Sequence, residues 1–114
     1  MRRLMMTGFL AALLSAAAVS TAQAEEDHKS EAMKHATAAL ESAKAGDAAA
    51  VGEHAKAAKD HAEAALKERA NPHLDAAIKN LNLAIEHSEA GDASTAGDDA
   101  HAAMTHLKAA EKSF

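Results

Sequence analysis

Ala45-Gly46-Asp47-Ala48 returns 45 residues later as Ala90-Gly91-Asp92-Ala93. Glycine takes the left-handed conformation that closes a helix, and aspartate caps the helix that follows. Midway between them, Asn71-Pro72 places a cap residue before a proline at the first helical position. Read outward from these three marks, the chain divides into four helices at about 28–45, 48–69, 72–90 and 93–112. Connections this short make neighbouring helices antiparallel. The sequence therefore predicts an all-α fold, an up-down-up-down four-helix bundle.

The same offset of 45 aligns the two halves without a gap. Lys34 meets Lys79, Glu41 meets Glu86, Gly52 meets Gly97, and His61 meets His106. The bundle is a duplicated helical hairpin. Apolar spacing alternates three and four, as in the seam of a bundle. The predicted stripes are Met33, Ala36, Leu40 and Ala43; Val51, Ala55, Ala58, Ala62 and Ala65; Leu74, Ile78, Leu81, Ile85 and Ser88; and Ala96, Ala100, Ala103, Leu107 and Ala110. Leu83 lies off its stripe. Alanine forms helix well but buries little area, so the core is thin. A thin core leaves room for ordering by a metal and for self-association.

The first 24 residues read as a secretory signal peptide. Arg2 and Arg3 precede an apolar run, Leu4 to Val19, and Ala22-Gln23-Ala24 is a small-residue cleavage site. The run is shorter than a membrane span, and Glu25-Glu26-Asp27 follows at once. The expectation is export to the periplasm, no membrane anchor after cleavage, and one histidine-rich domain over 25–114.

The whole chain has 12 basic residues, two of them in the leader, against 17 acidic ones. Such an acidic balance with two aromatic residues in all excludes a nucleic-acid binder and favours cations. Cysteine is absent, so no disulfide frame, thiolate site or c-type haem attachment exists. No phosphate-binding loop, nucleophile–base motif or His-Glu-x-x-His occurs, and the chain does not read as an enzyme.

What stands out is eight histidines on an alanine scaffold. His28 and His35, then His54 and His61, are seven apart, and His73 and His87 are fourteen apart. Seven residues make two turns to within about 20°, so each set leaves one helix face. His35, His73 and His87 are expected to point well away from the seam, and His54, His61 and His106 to flank it. Asp99 stands seven before His106. His101 is out of register with the rest. Neutral imidazole suits copper(II), nickel(II) and zinc(II), and carboxylate completes the shell.

Partners seven apart on one helix are about 10 Å apart and cannot share an ion. His28, Glu31 and His35, at spacings of three and four, share a face more closely. Folding the first hairpin at Gly46-Asp47 brings His61 level with the gap between His28 and His35. It brings His35 level with the gap between His54 and His61. The candidate ligands are His28, Glu31, His35, His54, His61, His73, His87, Asp99 and His106. Two other readings compete. A b-type haem electron carrier would use Met33 and His106, although an alanine core offers little pocket for it. A ligand-free structural or stress-protective bundle would use none of these residues.

The sequence resembles the small metal-binding protein family of periplasmic histidine-rich four-helix bundles. The resemblance lies in Glu31-Ala32-Met33-Lys34-His35-Ala36, Glu53-His54-Ala55-Lys56, Asp60-His61-Ala62, Asn71-Pro72-His73, Ala84-Ile85-Glu86-His87 and Thr105-His106-Leu107. It implies periplasmic binding of several divalent ions, copper prominent among them, in a buffering or tolerance role. His35, His54, His61, His73, His87 and His106 match the family's histidine pattern. Ser42, Asp47, Ala76, Asn80, Asp92 and Asp99 depart from it, which implies lower capacity or a weaker preference for copper in this chain.

Overall fold

The computed structural model describes residues 27–113, so the proposed leader lies outside the described residues. Four helices follow one another: α1, His28–Lys44; α2, Ala48–Glu68; α3, Pro72–Glu89; and α4, Ala93–Ser113. Their ends fall within a residue or two of those expected from the caps. Each helix starts on a polar side chain that accepts a hydrogen bond from an otherwise orphaned backbone N–H. Asp27 accepts from Lys29 at 3.0 Å, Asp47 from Ala50 at 3.1 Å, Asn71 from His73 at 2.8 Å, and Asp92 from Thr95 at 3.0 Å.

The two Gly-Asp turns are built alike. Gly46 and Gly91 have φ of 78° and 81°. After α1, the Asp47 N–H donates to Ser42 O and the Gly46 N–H to Ala43 O. After α3, the Asp92 N–H donates to His87 O and the Gly91 N–H to Ser88 O. These are paired closures of the last turn, and only glycine adopts the required φ without strain.

The helices form a ring in which α1 touches α2 and α4, and α3 touches the same two. α2 and α4 also touch across the diagonal, while α1 and α3 do not among the described residues. The short diagonal follows from the side chains on it. The predicted stripes of α2 and α4 are all buried, and apart from Val51 and Leu107 they are alanine, joined by Gly52 and Gly97. Small residues let helix axes approach. The approach is closest at the glycines. A Cβ on Gly97 would stand 2.6 Å from Ala43 Cβ of α1, and one on Gly52 would press on the Ser88 hydroxyl of α3. These contacts, α4 on α1 and α2 on α3, occupy equivalent positions in the two halves.

The stripes of α1 and α3 differ from expectation. α1 buries Ala32, Ala36 and Ala39, and α3 buries Leu74, Ala77, Leu81, Ala84 and Ser88. Met33, Leu40, Ala43, Ile78 and Ile85 are half-buried at the rim. The inner line is crowded by the short diagonal and takes mostly alanine. The larger apolar chains move to the flank that meets the other hairpin. Leu40 reaches Gly97 of α4, and Ile85 shares a groove with Lys56 and Lys59 of α2. With the stripe turned this way, the opposite flank of α1 and α3 carries the histidines. His35, His73 and His87 are therefore half-buried beside the seam, not turned away from it. Leu83 is 42% exposed, and nothing in the structure explains it.

Candidate metal centre

Each hairpin has a groove between its own two helices, and the histidines line it. In the first hairpin the rings of α1 and α2 alternate along the groove in the order His28, His61, His35, His54. Successive ring centroids are 5.4, 5.4 and 6.4 Å apart, and His35 and His61 are stacked at an interplanar angle of 8°. This is the interleaving that the antiparallel register required. All four rings are half-buried.

Two details describe the site's chemistry. The Nδ1 atoms of His28 and His61 are 3.2 Å apart. Two nitrogens bound to one ion at about 2.0–2.1 Å stand roughly 3 Å from each other. The pair therefore already has the spacing of neighbouring ligands. Beside it, one ligand atom from each of Glu31, His35 and His61 lies within 4.8 Å of the others. Two imidazoles and a carboxylate with open positions form a donor set suited to first-row divalent ions.

The environment of His35 keeps it neutral. Partial burial, followed by the His61 ring beside it, lowers its pKa from the ordinary 6.5, and Glu31 opposes this only in part. A neutral imidazole offers the lone pair that a metal needs. His28 has a carboxylate beyond it, with its Nε2 3.8 Å from Glu68 Oε2. With an ion held at Nδ1, the Nε2–H would point toward this carboxylate. Glu68 was not among the residues expected from sequence. It stands seven after His61 and so continues the α2 column, which is the signal that identifies it.

The second hairpin holds a shorter version. His73 and His106, the counterparts of His28 and His61, stack with centroids 6.1 Å apart. Above them the column breaks. Asn80 stands where His35 does, and its side-chain amide donates to Ala76 O of its own helix. Asp99 stands where His54 does and meets His87 at 2.6 Å. That hydrogen bond raises the His87 pKa above 6.5, so the ring holds its proton more firmly. His101 is exposed and takes part in neither column. Of the expected ligands, the structure thus gathers His28, Glu31, His35, His54 and His61 in one groove. It places His73 with His106, and His87 with Asp99, in the other.

Among curated proteins none matches the chain. A family model described as small metal-binding protein matches residues 2–110, nearly its whole length. Two histidine-lined grooves on a duplicated alanine-rich hairpin, together with that match, establish that the chain belongs to the small metal-binding protein family.

Proposed function

We propose that the protein binds and sequesters divalent transition metals in the periplasm, copper foremost, with nickel and zinc accepted by the same grooves. The observation that carries this reading is the interleaved column of the first hairpin. There the His28 and His61 nitrogens stand at ligand spacing and Glu31, His35 and His61 converge. Imidazole with carboxylate, and no thiolate, ranks copper(II) above nickel(II) and zinc(II) by the general affinity order of divalent ions. The ion is cargo, and the protein is not an enzyme. The match to a family described as small metal-binding protein supports a binding role.

The periplasmic placement rests on the leader, with its two arginines, apolar run and Ala22-Gln23-Ala24 site. Fractionation should recover a chain that begins at Glu25. A haem carrier is disfavoured because Met33 packs on the alanine and leucine core and His106 is engaged with His73. Calorimetric titration of the apo protein with copper(II) at neutral pH should give heat well above a buffer blank. Binding should weaken as pH falls through the imidazole range, because each ligand must shed its proton. Heat no greater than the blank sinks the proposal.

A further inference from the structure

We propose that the histidine column of the first hairpin switches between a one-ion and a two-ion arrangement as metal becomes abundant. This rests on the metal-binding reading above and concerns how the same groove fills. His61 has His28 on one side and His35 on the other, each at 5.4 Å between centroids. His35 likewise has His61 on one side and His54, at 6.4 Å, on the other. Three adjoining pairs therefore draw on four rings, and neighbouring pairs share a ring.

A neutral imidazole has one free lone pair, and serving two ions requires loss of its remaining N–H proton. The middle pair, His61 with His35, therefore cannot be filled together with either outer pair. The outer pairs, His28 with His61 and His35 with His54, have no ring in common and are compatible. Among the described residues, only the middle pair has a carboxylate, Glu31, within 4.8 Å of a ligand atom on both of its rings, whereas Glu68 stands near His28 alone. Three ligands with a negative charge outcompete two neutral ones while ions are scarce.

The first ion accordingly occupies Glu31, His35 and His61. When a second ion arrives, His61 turns to His28 and His35 turns to His54, and the middle site dissolves into two outer ones. The second ion binds less tightly than the first, because its entry separates the first ion from Glu31. Such a column is tight at low metal and gains capacity at high metal. The second hairpin lacks the parts for this. Ala76, Asn80 and Asp99 occupy the places of Glu31, His35 and His54. Its two pairs, His73 with His106 and His87 with Asp99, share no residue and fill independently.

The test uses the full chain carrying His73→Gln and Asp99→Asn, which removes both pairs of the second hairpin. Copper(II) ions are added in equilibrium dialysis, and electron paramagnetic resonance spectra are taken at each load. Two ions should bind at saturation. The spectrum seen below one equivalent should be replaced, not merely added to, as the second ion enters. Glu31→Gln on this background should weaken the first ion at least about tenfold and leave the two-ion spectrum unchanged. His28→Gln with His54→Gln should hold one ion and keep the low-load spectrum. Circular dichroism on the same samples verifies that each variant is folded. Saturation at three ions, or at one, overturns the switch. So does a first-ion spectrum that persists after the second binds, or a Glu31→Gln chain with first-ion affinity unchanged. A background chain that binds no copper overturns the metal-binding reading itself, and the switch with it.

Discussion

The two hairpins share one plan and divide its work. Three of the four largest fully buried side chains, Leu74, Leu81 and Leu107, belong to the second hairpin, and only Val51 belongs to the first. At the places of those leucines the first hairpin has Lys29, Ala36 and Ala62. The ligands are distributed the other way. Where the first hairpin has Glu31, His35 and His54, the second has Ala76, Asn80 and Asp99. One copy supplies most of the large buried apolar surface, and the other supplies the continuous imidazole column. Because the halves pack on each other, the histidine-rich half draws its stability from its neighbour. It can then devote a groove to rings that are only half-buried.

The largest effect that bears on this contrast is expected from Leu81→Ala, which gives the second hairpin the residue found at Ala36. Removing a fully buried leucine costs about 2–5 kcal/mol. In a domain this size each kcal/mol lowers the melting temperature by about 4–8 °C. Thermal circular dichroism should therefore show a fall of about 8 °C or more, the product of the lower ends of those two ranges. A loss of a degree or two would mean that the large side chains do not hold the bundle.

Next in size is the comparison of Gly97→Ala with Gly52→Ala. The new methyl at 97 meets Ala43 Cβ, which is fixed to its backbone, so α1 and α4 must separate. Overpacking of this kind costs about 1–3 kcal/mol, more than the ~1 kcal/mol gained from replacing a helical glycine by alanine. The methyl at 52 meets the Ser88 hydroxyl, which can rotate away from Ile85 O, and Ser88 Cβ at 3.3 Å, which needs only a small shift, so its net cost is the smaller of the two. Chemical denaturation of the two variants should separate them, and equal midpoints would remove this distinction between the halves.

Acid should act on the hairpins in opposite directions. His35 has a folded pKa below 6.5, so as pH falls through 6.5 the unfolded chain takes up this proton first. Stability is lost from there down to the folded pKa, and His35→Gln should remove that part of the loss. His87 has a folded pKa above 6.5, so its contribution is fully present below 6.5 and disappears as pH rises through the folded value. NMR titration of the ring protons should place the His35 midpoint below that of His87. The smallest expected effect is that of Asp99→Asn, which should bring the His87 midpoint down toward the ordinary value and leave His35 where it is. A shift in His35 as well would show that the columns communicate through the core.

The inner helix boundaries are legible in the sequence because residues with a single local role mark them. Gly46 and Gly91 supply the φ that ends a helix, and Asp47, Asn71 and Asp92 supply the caps. The columns are legible too, since a spacing of seven together with an antiparallel turn fixes which rings are level. The rotation of α1 and α3 is not. Alanine is equally at home inside and outside, so the large residues Met33, Leu40, Ile78 and Ile85 read as the centre of the stripe. The centre is instead set by the short α2–α4 diagonal, a property of the assembled bundle that no single helix displays. The same rotation brings His35, His73 and His87 to the seam's edge. The partnership of His87 with Asp99 is hidden for a related reason. Along its own helix each belongs to a separate column, and only the packed hairpin sets the two face to face.

The matched Gly-Asp turns have a consequence for folding speed. Each joins two helices through about three residues, so most contacts within a hairpin are close in sequence, and such topologies fold quickly. With every helix start capped by its own neighbour, both hairpins can form before they meet. What remains is their docking across the Arg69-Ala70-Asn71 link, where Leu74, Leu81 and Leu107 of the second hairpin join the alanine faces of the first. Substitutions at Gly52, Gly97 and Leu81 should change the rate of that docking step, whereas those at the turns should change how much hairpin is present when it begins.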